Sequence, residues 1–264
     1  MRRSLPGLFV LPALLVIAAS PGCVILTEDD QDDWDAKYGG PDCPELSQGS
    51  VTAAVDGLTD PWPSSSVALN LSIAGFTDDP ECGHYQIFVE DLAAGTAPAF
   101  WTYGDDRLVV PVGALEPGGE YRVWVSLVDG PWDPGLRVEP GDDSRFDFVE
   151  VTIDEDALYV AIVSPQEGAE VEPPFALEFV VRNFVLDDPT TSEITGDGHW
   201  HVYTDFDGDP TVDLPPSYVA DAGTSLSISD ADQGARRYLI RLHGQEHQVL
   251  TPATFDEVTI EIDD

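Results

Sequence analysis

"VALNLSIAGF", residues 67–76, is the stretch on which the fold turns. Its apolar side chains Val67, Leu69, Leu71 and Ile73 alternate with small or polar ones, and a period of two is that of a strand with one buried face. "YRVWVSL", residues 121–127, repeats the pattern through Tyr121, Val123, Val125 and Leu127. From Ser50 onward such short runs are punctuated by Gly, Pro and Asp, with little helical periodicity, which predicts an all-β protein. Trp124 and Trp200 both fall within strand-like runs and are assigned to core packing.

The same stretch recurs. "ALNLSIAGF" (68–76) lies over "ALEFVVRNF" (176–184), and "GHYQIFVED" (83–91) lies over "GHWHVYTDF" (198–206). Further on, "RVWVSL" (122–127) falls over "YLIRL" (238–242), and "FDFVEVTID" (146–154) over "FDEVTIEID" (255–263). Four matches in the same order, at an offset of roughly 110 residues, describe a duplicated unit. Each copy has about seven strand-like runs, the pattern of a β-sandwich of immunoglobulin or fibronectin type. The expected organisation is two tandem sandwiches, residues 49–155 and 157–264, meeting near "DEDAL" at Asp154–Leu158.

What precedes them reads as an address. "MRRSLPGLFVLPALLVIAASPGC" has a basic start at Arg2 and Arg3, an apolar run and small residues before Cys23, which predicts a signal peptide over residues 1–22. Gly22 directly before Cys23 resembles the lipobox of bacterial lipoproteins, although Ser20 and Pro21 depart from that box. The resemblance implies that Cys23 becomes a lipid-modified N-terminus in the cell envelope, with the membrane met through that lipid alone. Residues 23–48 are acidic, carry Gly-Gly-Pro and lack an apolar period, as expected of a solvated tether. Of the three cysteines, assigning Cys23 to the lipid leaves Cys43 and Cys82, expected to form a disulfide in an oxidising compartment.

Charge narrows the partners. The chain carries 50 acidic against 11 basic residues, a formal net charge of −39. Such a surface repels phosphate backbones, which excludes nucleic acid as a partner, and attracts cations. An envelope protein, a polysaccharide or a divalent cation remain as candidate partners. Sequence motifs of catalysis are lacking: no GxSxG elbow, no HExxH and no phosphate-cradling glycine loop occurs.

Four of the five histidines follow residue 198. In a strand, "HWH" sets His199 and His201 on one face while Trp200 faces the other way, suitable spacing for two ligands of zinc or copper. His247, and after it His243, in "RLHGQEH" are candidates for a further ligand. In the first copy His84 matches His199 but Gln86 replaces His201. Asp205, Asp207, Asp209 and Asp213 in "DFDGDPTVD" offer the hard oxygens that calcium favours. The glycine is misplaced for an EF-hand, however, and a hairpin turn is the plainer account.

The opening of the second copy, "VSPQEGAEVEPPFALEFVVRNF", with "GHWHVYTD" and "RLHGQEH", resembles a family of exported bacterial domains of unknown function with a Gly-His-x-His-aliphatic-aliphatic-x-Asp motif. By position the resemblance singles out His199, His201, Asp205 and His247. The expected function is that of a lipid-anchored binding or scaffold protein whose C-terminal domain holds a metal. The alternative is a metal-dependent enzyme or metal-handling protein centred on His199, His201 and His247.

Overall fold

The computed structural model describes residues 49–75, 83–94, 99–103, 108–129, 145–187, 196–205, 209–212, 215–219, 223–229 and 231–263. Cys23, Cys43, Cys82, Asp207 and Asp213 lie outside the described residues, as do the segments expected to form a signal peptide and a tether.

The described chain is all-β. Its first part runs β1 (Ser50–Ala54), β2 (Trp62–Ser64), β3 (Val67–Ala74), β4 (Gly83–Asp91), β5 (Ala99–Tyr103), β6 (Val109–Val112), β7 (Glu120–Asp129) and β8 (Phe146–Ser164). Strands β1, β3 and β6 make one sheet, and β5, β4, β7 and β8 follow in order in a second, with β2 pairing in parallel with β8. The alternation in β3 turns Val67, Leu69 and Leu71 inward, where they meet Tyr121, Val123, Val125 and Leu127 of β7 in one core. Two sheets closing on a shared apolar layer is a β-sandwich.

The second part runs β9 (Glu170–Val171), β10 (Phe175–Arg182), β11 (Gly198–Thr204), β12 (Tyr218–Val219), β13 (Ser225–Ile228), β14 (Gly234–Gly244) and β15 (Phe255–Ile262). It repeats the first strand for strand: β10 stands where β3 does, β11 where β4 does, β14 where β7 does, and β9 pairs in parallel with β15 as β2 does with β8. The second core gathers Leu177, Phe179, Trp200, Val202, Tyr238, Ile240 and Leu242. Trp200 is buried edge-on to Phe179, with ring centroids 4.9 Å apart.

Between the two units the chain runs straight through Asp154–Leu158 as a strand. This segment lies inside β8, whose Phe146–Thr152 pair with β7 of the first sandwich and whose Tyr159–Ser164 pair with β10 of the second. One continuous strand thus closes one sandwich and opens the next.

A buried polar seam joins the two units besides. Ser64, Ser65 and Ser66 are fully buried. The Ser64 hydroxyl lies 3.0 Å from both the Ala253 carbonyl and the Thr254 hydroxyl, and Phe255 N–H donates to Ser66 Oγ at 2.9 Å. Gly113 packs so close to Asp256 that a Cβ there would meet the Asp256 Cα at 2.8 Å. On the rim, Arg182 donates to Glu116 at 2.5 Å and lies over the Tyr159 ring.

Trp124 departs from the expected core position. It is half-buried on the outer face of its sheet, against the exposed Phe148 (centroids 4.6 Å) and with the Arg122 guanidinium over its ring. Strand alternation explains this: with Val123 and Val125 facing the core, the residue between them faces out.

Candidate metal centre

Strand β11 presents Trp200 and Val202 to the core and His199, His201 and Tyr203 to the opposite face. Its partner β14 sets His243 across from His199 and Arg241 across from His201. This outer face is nonetheless covered: His199, His201, Tyr203, Arg241 and His243 are all buried. Tyr203 also joins a small apolar cluster with Leu239, Ala253 and Phe255, against which Ala68 of the first sandwich packs.

Close strand approach permits the arrangement. A Cβ on Gly198 would fall on the His243 carbonyl oxygen, a contact no side chain tolerates. Beyond β14 the chain doubles back at once: Gly244 N–H donates to the Gln248 carbonyl, and His247 N–H to the Gly244 carbonyl, both at 3.0 Å. His247 takes the left-handed conformation, with φ of 61°, which tips its ring back over β11. Gln245 donates to the Gly196 carbonyl and ties the turn to the start of that strand.

Three ring nitrogens converge as a result. His199 Nε2 lies 3.0 Å from His201 Nε2 and 2.9 Å from His247 Nδ1, and the third edge of the triangle is 3.3 Å. Each in-plane ring nitrogen carries either one proton or one lone pair. Protons alone therefore leave an edge of the triangle with two lone pairs, or two N–H groups, facing each other. A cation at its centre satisfies all three. Two nitrogens bound to one zinc ion at about 2.0–2.1 Å stand roughly 3.3 Å apart in tetrahedral geometry, close to the spacing seen. Among the described residues this is the group of His, Cys, Asp and Glu side chains placed to hold a metal, with His199 and His201 buried and His247 exposed.

The surroundings favour the neutral, ligating form. Burial lowers the His199 pKa and pushes that of His201 down to about 3, helped by the repulsion that a second proton would meet among the crowded His243, His199 and His247 rings and beside the Arg241 guanidinium. Tyr203 Oη lies 3.4 Å from His201 Nδ1. With Nδ1–H directed at that oxygen, the Nε2 lone pair of His201 points into the triangle, the usual way a second-layer acceptor fixes a ligating tautomer. Neutral imidazole nitrogens with no thiolate or carboxylate suit zinc or copper(II), and not calcium.

The structure separates the sequence candidates. His199 and His201, set on one face by their spacing, come together with His247 from the turn after β14. Asp205 does not join them: it lies past the end of β11, with its carboxylate 2.7 Å from Arg236 and accepting the Arg237 N–H at 3.2 Å. Asp209 caps its own turn, accepting from Thr211 N–H at 2.8 Å and Thr211 hydroxyl at 2.6 Å. The calcium alternative is thus reduced, among the described aspartates, to two carboxylates already bound to protein donors. His243 belongs to the site as a neighbour: Arg241 Nε–H donates to its Nε2 at 3.0 Å, and its Nδ1 lies 3.0 Å from the His247 carbonyl. Tyr203 and Arg241 were missed in sequence, yet the period of two from His199 through His201 to Tyr203, and from Arg241 to His243, carries the signal.

Fold and side chains together define an all-β protein of tandem sandwiches with a three-histidine cluster in the second. No protein-family model matches the chain, and no curated protein does. Among solved structures, it is similar to the fibronectin(III)-like modules of CbhA from Clostridium thermocellum, at 9% identity over 81% of this chain and 94% of that one, with a TM-score of 0.27. It is also similar to the FN1–FN3 domains of chicken CNTN1, at 11% identity over 81% of this chain and 66% of that one, with a TM-score of 0.26.

Proposed function

We propose that the protein is a lipid-anchored metal-binding protein of the bacterial envelope, holding zinc or copper(II) on His199, His201 and His247. The observation that carries this is the triangle of ring nitrogens with edges of 2.9, 3.0 and 3.3 Å, which a cation satisfies and protons do not. The net charge of −39 supports the reading by concentrating cations near the surface. Metal analysis and calorimetric titration of the purified protein test it, with zinc and copper(II) as separate ligands. Binding of neither metal would reject it.

The anchor rests on Cys23 and the apolar segment before it. Cys23→Ala is expected to move the protein from the membrane fraction to the soluble one; retention at the membrane would reject the lipid. Cys43 and Cys82 are proposed as the disulfide. Alkylation with and without reductant should then differ by two blocked thiols, and an unchanged mass would reject the bond.

A metal-dependent enzyme is the second reading. One observation favours it: three protein ligands rather than four is the count of catalytic zinc sites.

A further inference from the structure

Four histidine rings crowd this face, yet only three converge. The His243 ring stacks on His201 at 3.9 Å between centroids and lies 6.0 Å from His199, near enough that its absence from the triangle needs a cause. Both of its nitrogens are engaged elsewhere. Nε2 accepts from Arg241 Nε–H at 3.0 Å, with Tyr203 Oη 3.1 Å away. Having accepted there, the neutral ring carries its proton on Nδ1 and donates it to the His247 carbonyl at 3.0 Å. No lone pair is left for a metal.

Arg241 makes that cap durable. Its guanidinium is fully buried, donates through Nη1 to the Pro210 and Val212 carbonyls at 2.6 and 2.8 Å, and donates through Nη2 to Tyr203 Oη. A guanidinium does not deprotonate in proteins, so its Nε–H always occupies the His243 lone pair. Turning His243 toward the metal would strand that buried N–H and the His247 carbonyl together.

Resting on the metal reading, we propose that Arg241 and Tyr203 hold His243 out of the coordination sphere, so that the bound ion keeps an exchangeable position for water or a small anion. Three neutral imidazoles leave the ion's full charge uncompensated, and the Arg241 guanidinium adds another positive charge nearby. The local field therefore favours an anionic occupant within an otherwise acidic protein. The exposed His247 edge is the side from which it enters.

Cobalt(II) loading tests this, because its visible spectrum reports coordination, with azide as the probe anion. A saturable spectral change on azide addition is expected, with three imidazole scatterers by X-ray absorption. His243→Gln should keep that count of three while weakening affinity by about 10–100-fold, as loss of a supporting contact does. In Arg241→Met the freed His243 should compete for the open position and blunt the azide response. A cobalt-loaded protein that ignores azide, or four imidazoles falling to three in His243→Gln, overturns the inference while leaving metal binding intact. A protein that takes up no cobalt overturns the metal reading and this inference with it.

Discussion

His199 and His247 stand 48 residues apart in the chain and 2.9 Å apart at their ring nitrogens. The strand pair β11/β14 and the turn after Gly244 bring them together, so small backbone changes there should act on the site. The sharpest is Gly198→Ala, whose added methyl would fall on the His243 carbonyl oxygen. A loss of about 1–3 kcal/mol is expected from the overpacking, along with weakened metal affinity. Urea unfolding and metal titration check it; an undisturbed variant would mean that the strands are further apart than described.

The two tryptophans should behave differently. Trp200 is 2% exposed and sits against Phe179, so Trp200→Ala should cost about 3–5 kcal/mol. Trp124 lies on the outer face beside Phe148, and Trp124→Ala should cost well under half of that. Equal losses in denaturant unfolding would contradict the assigned faces.

That contrast shows how much of the fold could be read in advance. The alternation through Val67, Leu69 and Leu71, and its recurrence in the second copy, carried the two sandwiches and the common face of His199 and His201. The same alternation places Trp124 on the face opposite Val123, whereas its hydrophobicity alone points to the core. The strand register that sets Arg241 and His243 beside β11 is not a local property, because β11 and β14 pair although β12 and β13 stand between them in the chain. Nor did the aspartate spacing near Asp205 reveal that Arg236 would claim its carboxylate. The site was legible as spacing and illegible as partnership.

The seam between the sandwiches should make them unfold together. Ser64 and Ser66 are fully buried and satisfy the Ala253 carbonyl, the Thr254 hydroxyl and the Phe255 N–H. Removing either hydroxyl leaves buried groups unpaired, at about 1–3 kcal/mol each. A single calorimetric transition is expected for the wild type, and a broadened or split one for the Ser64→Ala, Ser66→Ala double variant. Two transitions in the wild type would contradict a joined unit.

Asp256 gives the interface a pH dependence. Burial raises its pKa from 3.8 to about 7, even though Ile162 N–H donates to it at 2.7 Å. Between those values the folded chain holds a proton that the unfolded chain has released. This contribution to stability is therefore fully present below about 3.8 and lost as pH rises through about 7. Relative to Asp256→Asn, the wild type should lose stability from pH 5 to pH 8, and a constant difference in urea unfolding would contradict the raised pKa.

Whether His199, His201 and His247 hold one metal ion is decided by the zinc and copper(II) affinity of the wild type beside that of His201→Gln. That substitution copies Gln86 of the first copy and leaves the fold's apolar core untouched. One ion per wild-type chain is expected, with affinity in the variant reduced by at least on the order of 100-fold, beyond what loss of a supporting contact produces. Equal metal content and equal affinity in the two proteins would mean that the three histidines do not bind the ion together.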